Sequence, residues 1–184
     1  CKTNIHCIFS KISSNETKKL WDNARHISLY KNGDFIYKQG EKPSSFFIVC
    51  SGKVKIYQKA NSSQIITLIK TPGSIFGYNC VCKGENYTTS AIACENTTLS
   101  SFQINTWIEI LKSDFNFALE IMKLMCSEID HLQTRLAQIA YHSADEKIAS
   151  TLITHIRFIS QTSPNPETIY LKRAEIAELC GLRL

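Results

Sequence analysis

The chain has 184 residues, a formal net charge of +5 and a hydrophobic share of 43%. That length fits one or two small domains with a sizeable core, and the apolar share excludes a disordered chain. No apolar run approaches the ~20 residues of a membrane-spanning helix, and the mild positive charge suits a nucleic-acid partner and a solvated lysine-rich surface equally.

The first predicted element is a short helix. Ser13-Ser14-Asn15-Glu16 has the Ser-x-x-Glu form of a capping box, and Leu20, Trp21 and Ala24 follow at helical spacing. Strand-like text then runs to about Ile104. Gly33, Gly40, Gly52, Gly73 and Gly77 punctuate it, separating short runs such as Phe46-Phe47-Ile48-Val49 and Val54-Lys55-Ile56-Tyr57. Short β-branched and aromatic runs closed by turn residues predict an antiparallel β-sandwich or barrel. Asn61-Ser62-Ser63 reads as a hairpin turn and Thr71-Pro72-Gly73 as a turn into Ser74-Ile75-Phe76-Gly77. Tyr78 to Tyr87 reads as a loop or short helix. Thr88 to Cys94 and Thr97 to Ile104 resume the strand pattern.

The period then changes. From Ala118 the apolar residues Ile121, Met125, Ile129, Leu132, Leu136 and Ile139 fall at steps of three and four, a heptad-like seam on a long helix. Leu119, Met122 and Leu124 widen the stripe where the helix is expected to lie on its own domain. The plain reading is one amphipathic helix packed on the β module. The narrow seam from Ile129 to Ile139 favours pairing with an identical helix, with Met125, Ile129, Leu132, Leu136 and Ile139 at a dimer interface. Ser143-Ala144-Asp145-Glu146 is a second capping box, opening a helix with Ile148, Leu152, Ile153, Ile156 and Ile159 on its apolar face. Ser160 to Glu167 reads as a loop and Thr168 to Leu171 as a short strand. Lys172 to Leu184 then begins as the first helix of a helix-turn-helix unit, ending near Gly181.

The eight cysteines do not form a secreted scaffold, because Cys50, Cys94, Cys126 and Cys180 lie in apolar-periodic segments where a thiol acts as a small buried hydrophobe. A reducing, cytoplasmic location is expected. An enzyme is not: no Ser/His/Asp order, Walker-type loop, zinc spacing or paired carboxylates occur.

These pieces together resemble the Crp/Fnr family of bacterial transcription regulators. The resemblance is carried by Gly33-Asp34-Phe35-Ile36, Gly40-Glu41, Phe47 to Lys55, Pro72-Gly73-Ser74-Ile75-Phe76-Gly77 and Ala174 to Leu182. It implies an α+β chain: an antiparallel β-roll of the cyclic-nucleotide-binding type, a long dimerisation helix and a C-terminal winged helix-turn-helix. The corresponding segments are 1–110 for the sensor, 111–141 for the dimerisation helix and 142–184 for the start of the DNA-binding domain. The recognition helix and wing are expected beyond Leu184, and an upstream segment before Cys1. Lys172, Arg173 and Arg183 fall in the DNA-binding motif. The implied partners of the full-length protein are palindromic promoter DNA, RNA polymerase and a second copy of the chain. No membrane is involved. Lys172 departs from the Thr or Ser N-cap common in the family, a change costing about 1 kcal/mol unless another group serves. The alternative is a cyclic-nucleotide-like sensor domain that does not bind DNA.

Cyclic-nucleotide-binding members hold the phosphate in a cradle of Gly-Glu followed by an Arg-Ser or Arg-Thr pair, since a buried phosphate needs a guanidinium and N–H donors. Here the cradle positions are Gly73, Phe76, Gly77, Tyr78, Thr88 and Thr89, without the acid or the arginine. Cyclic AMP is therefore not expected, and the signal is read as redox, oxygen or another small molecule. In the oxygen-sensing branch, N-terminal cysteines hold a 4Fe–4S cluster. Cys1 and Cys7 match two of its ligands, and the strand position of another is Ser100, for which Cys80, Cys82 or Cys94 are substitutes. The competing reading of Cys1 and Cys7 is a pair of surface thiols near a chain end.

Overall fold

The computed structural model describes residues 7–60, 63–160 and 172–182. A 3-10 turn (Ile8–Lys11) and α1 (Asn15–Ala24) lead into β1 (His26–Tyr30), β2 (Phe35–Tyr37), β3 (Ser45–Ser51), β4 (Val54–Ala60), β5 (Ser63–Lys70) and β6 (Ile75–Phe76). After α2 (Tyr78–Lys83), β7 (Ser90–Ala93) and β8 (Thr97–Gln103) complete the roll. Then come α3 (Ile104–Ser113), α4 (Phe115–Tyr141), α5 (Ala144–Ser160) and α6 (Arg173–Cys180). The strands form two antiparallel four-stranded sheets, ordered β1-β8-β3-β6 and β2-β7-β4-β5. This is the α+β fold expected from the sequence.

Strand alternation places the two cores. Successive side chains of a strand point to opposite faces, and β3 is buried on both. Phe47 and Val49 enter the roll interior with Tyr37, Val54, Ile56, Phe76 and Leu99. Phe46 and Ile48 face the helical layer, where Trp21, Phe102, Trp107 and Phe117 meet them. The Trp21–Phe102 and Phe46–Trp107 ring centroids are each 4.4 Å apart. Aromatic pairs at such separations add about 0.5–1.5 kcal/mol each beyond burial.

Several local expectations are revised. The first helix is capped by Ser14, whose Oγ accepts from Thr17 N at 3.3 Å, whereas Ser13 turns to Asp114. Residues 104–113 form α3, so Ile104 opens a helix instead of closing a strand, and the stretch after it, given no element from the sequence, is helical. Their β-branched content resembles strand text, and Gln103 gives no side-chain cap; burial of Trp107 and Ile110, one turn apart, overrides both signals. The long helix starts at Phe115, capped by Asp114. Leu119 and Met122 are exposed, and it is Phe117 and Ile121 that the roll buries. Thr88 and Thr89 precede β7 instead of opening it. Ser63 belongs to β5, paired with Ala60, and residues 61–62 of the expected hairpin turn lie outside the described residues. The expected strand at 168–171 and all but the first residue of the loop before it also lie outside them; Ser160 ends α5. The second capping box is present: Ser143 N donates to Glu146 Oε2 at 2.8 Å, and Glu146 N returns to Ser143 Oγ at 3.4 Å.

Candidate functional site

The turn that opens the cradle is held by backbone bonds. Gly73 N donates to Val49 O at 2.8 Å and Ser74 N to Thr71 O at 2.9 Å. Two residues of β6 later, Gly77 adopts φ +80° and caps α2. A Cβ there would lie 3.4 Å from Phe47 Cδ2 and 3.6 Å from Ser45 O, so the left-handed backbone, more than space, requires glycine. Tyr78 follows, buried. Its hydroxyl donates to Glu128 Oε2 on α4 at 3.0 Å. The other oxygen of Glu128 accepts from Lys70 Nζ at the end of β5.

These contacts give the cradle a chemistry unlike a phosphate site. Tyr78 presents a donor, but its acceptor is a carboxylate, and the Lys70 cation is already paired with that carboxylate. Thr88 is exposed and Thr89 half-buried. The roll interior is filled by rings: Tyr37 stacks on Tyr87 at 3.8 Å and Phe47 on Phe76 at 5.4 Å. Tyr37 also hydrogen-bonds the Thr89 side chain, and burial pushes its phenol far above the ordinary value. Burial likewise pushes Tyr87 up to about 12. Both phenols are neutral and fill the roll interior.

Among the described residues the thiols are not assembled as a cluster. Cys7 is 1% exposed and packs in the core with Trp21, which corrects the surface-thiol reading for this residue. Burial raises its thiol pKa, disfavouring the thiolate that iron needs. Cys1 lies outside the described residues, as does the side chain of Cys82. Cys80 sits in the roll interior, and Cys94 is half-buried with its thiol also raised by burial. The thiol beside Ser100 is instead Cys50, with Sγ 3.0 Å from Ser100 Oγ, a neighbour that cross-strand packing created and sequence spacing did not disclose. Among the described residues no group of three or more His, Cys, Asp or Glu side chains could hold a metal ion. The described thiols therefore do not fit a four-thiolate centre. Cys126, expected inside, is exposed on α4.

The helices carry the remaining candidates. Ile129, Leu132 and Leu136 are 51%, 42% and 68% exposed along α4, while Met125 and Ile139 are partly buried. Lys172 and Arg173 are exposed at the start of α6, and Arg183 lies outside the described residues. Lys172 supplies no side-chain cap, and Glu175 Oε2 accepts from the Lys172 N–H at 3.0 Å, the other half of a capping box. Helix α6 rests on the roll. Lys55 Nζ lies 3.4 Å from Glu175 Oε1 and 3.9 Å from Glu178 Oε2. A residue not singled out in the sequence, Arg135, ties three elements together: Nη1 donates to Thr67 O on β5 at 2.8 Å, and Nη2 to Leu179 O on α6 at 2.6 Å.

Residues 28–114 match the family model of the cyclic nucleotide-binding domain. The chain is 36% identical over 118 residues to a cGMP-dependent protein kinase of Plasmodium berghei, covering 63% of this chain and 13% of the kinase. It is 28% identical over 155 residues to the transcriptional activator protein Anr of Pseudomonas aeruginosa, covering 83% of this chain and 63% of the activator. It thus spans less than two thirds of either relative. A solved structure assigned to the Crp/Fnr regulators, from Eubacterium rectale, superposes with a TM-score of 0.75 at 18% identity, covering 92% of this chain and 78% of that one.

Proposed function

We propose, for a chain that carries a cyclic nucleotide-binding domain and has Crp/Fnr transcription regulators among its homologues, that it is the sensory and dimerising part of a DNA-binding regulator that does not use cyclic AMP. The observation that carries the reading is the succession of a roll, a 27-residue helix with an exposed apolar seam, and a short α6 ending at Gly181, which we read as the first helix of a helix-turn-helix. Residues 1–110 sense, 111–141 dimerise through Met125, Ile129, Leu132, Leu136 and Ile139, and 142–184 begin the DNA-binding domain. Lys172, Arg173 and Arg183 lie near the DNA backbone. The full-length homodimer binds two-fold symmetric promoter DNA in the cytoplasm and acts on RNA polymerase. Among the described residues no helix is long and apolar enough to cross a membrane.

The signal is redox, oxygen or a small molecule. A buried phosphate needs a guanidinium or an equivalent set of donors, and at this cradle it meets Glu128 and a ring-filled interior. Calorimetry with cyclic AMP is expected to show no saturable heat; micromolar binding would overturn the reading of Gly73, Phe76, Gly77, Tyr78, Thr88 and Thr89 as a degenerate cradle. An iron–sulfur centre would have to draw on Cys1 and on thiols outside the described residues. Iron and sulfide analysis of anaerobically purified full-length protein decides that question, and a colourless, iron-free preparation removes it.

The regulator reading is tested by selecting full-length protein against random duplexes. Enriched sites should be inverted repeats with half-sites about one helical turn apart. Recovery of no preferred site would favour the second reading, a regulatory domain acting on another protein, which the kinase identity supports.

A further inference from the structure

A groove of about 600 Å³ runs between α4, β5 and the 71–75 turn, closed at one end by α5 and α6. Of the cradle residues Gly73 alone lines it, and Phe76, Gly77, Tyr78, Thr88 and Thr89 do not, so the groove adjoins the cradle without including its phosphate positions. Its volume lies within the usual range of small-molecule sites, about 300–1,000 Å³.

The two ends differ in chemistry. Around Leu124 the walls include the apolar Ile8, Ile69 and Ile75, ahead of Ser127 and the Lys70–Glu128 pair. Near the C-terminal half of α4 they are polar, with His131, Thr134, Arg135 and Gln138. From Leu124 to Arg135 the helix advances about 16 Å at 1.5 Å per residue. Among the charged walls, Lys70 and Arg135 stand against Glu128, so with His131 neutral the groove holds one net positive charge. Lys70 and Glu128 satisfy one another. Arg135 does not share in that pairing: among the described residues it donates to the carbonyl oxygens of Thr67 and Leu179, which accept its protons without cancelling its charge. Burial lowers its pKa, since desolvation disfavours the charged form.

We infer that this groove is a binding site for an amphipathic organic monoanion, a medium-chain carboxylate whose tail lies along Leu124 and Ile69 and whose head reaches Arg135 and His131. A carboxylate supplies the missing counter-charge, and the apolar tail displaces water from the far end. Because Arg135 also holds Leu179 of α6, occupancy at the head position is coupled to the seat of α6.

The site stands apart from DNA recognition and is tested without it. The probe is octanoate, titrated calorimetrically into the chain, with octanamide as its neutral counterpart. The expected result is one site per chain, with octanoate at least about tenfold tighter than octanamide, a difference typical of one charge-assisted contact. Thr134→Phe, at an exposed helix position lining the groove, should abolish binding while leaving the thermal midpoint of the free protein unchanged. Arg135→Gln should remove the preference for the acid; should that variant fail to fold, His131→Phe supplies a second change at the head. No saturable octanoate binding, equal affinity for octanamide, or binding untouched by Thr134→Phe would each overturn the site. Octanoate binding by a protein that never selects DNA would leave the site standing and sink the regulator reading.

Discussion

At the scale of single residues, Asp114 is the most heavily committed side chain. It is 4% exposed, and its carboxylate accepts from Ser13 N at 2.9 Å, Ser14 N at 3.0 Å and Phe117 N at 3.0 Å. Desolvation opposes its charge, but the bonds from Ser14, Phe117 and Ser13 outweigh it and hold the pKa below the ordinary carboxyl range. The sign follows: a depressed folded pKa gives stability present above the unfolded value of about 3.9 and lost as pH falls through the folded value. Asp114→Ala should cost about 2–3 kcal/mol in urea unfolding at neutral pH. The gap to wild type should shrink on acidification, and a constant gap would show that the charge is irrelevant. The glycines separate strain from collision. Gly33 has φ +89° with nothing within 4 Å of an added Cβ, whereas at Gly52, φ +84°, that Cβ would sit 2.5 Å from Thr97 Oγ1 and 2.7 Å from Asn96 O. Gly33→Ala should cost about 1–2 kcal/mol from the left-handed backbone alone. Gly52→Ala should cost clearly more, and equal thermal shifts would contradict the collision.

At the scale of elements, α4 makes two different contacts with one sequence. Its first turns bury Phe117 and Ile121 under the roll, and its later turns expose Ile129, Leu132 and Leu136. Leu132→Glu combined with Leu136→Glu should convert the chain from dimer to monomer in sedimentation velocity without changing its helix content; an unchanged sedimentation coefficient would place the interface elsewhere. The later seam was legible in the sequence because a heptad pattern survives whatever it packs against. So were the roll, from its punctuating glycines, and the Ser143 cap. The start of α4 was not legible, because Leu119 and Met122 are as apolar as the residues that are buried and period alone does not say which face a globular domain covers. Helix α3 was hidden by β-branched residues whose helical state depends on burying Trp107. Within the site, the loss of the acid and arginine could be read directly at Tyr78 and Thr88-Thr89. The partnership of Tyr78 and Lys70 with Glu128 could not, since it joins segments distant in sequence and no spacing rule connects them.

At the scale of the whole molecule, α6 is tied to the roll by charged and polar contacts. Lys55 faces Glu175 and Glu178, with side chains about one fifth exposed or less, and Gln64 Nε2 donates to Glu178 Oε1 at 2.5 Å. Lys55→Glu should speed amide exchange in α6 by about tenfold while the roll stays protected, with the exposed Lys42→Glu as control. Uniform exchange in both variants would mean that the ion pairs contribute nothing to docking. The Glu128 node bears on a different property. In a roll whose helix is engaged by an arriving molecule, the empty protein is the silent one and information enters by addition. Here Tyr78 and Lys70 already hold the helix through a side chain encoded in the gene. On the proposed sensory reading the resting chain is, in effect, pre-addressed, so a stimulus acting through Tyr78 would carry its message by subtraction, and a mutation at Glu128 would imitate the stimulus instead of blocking it.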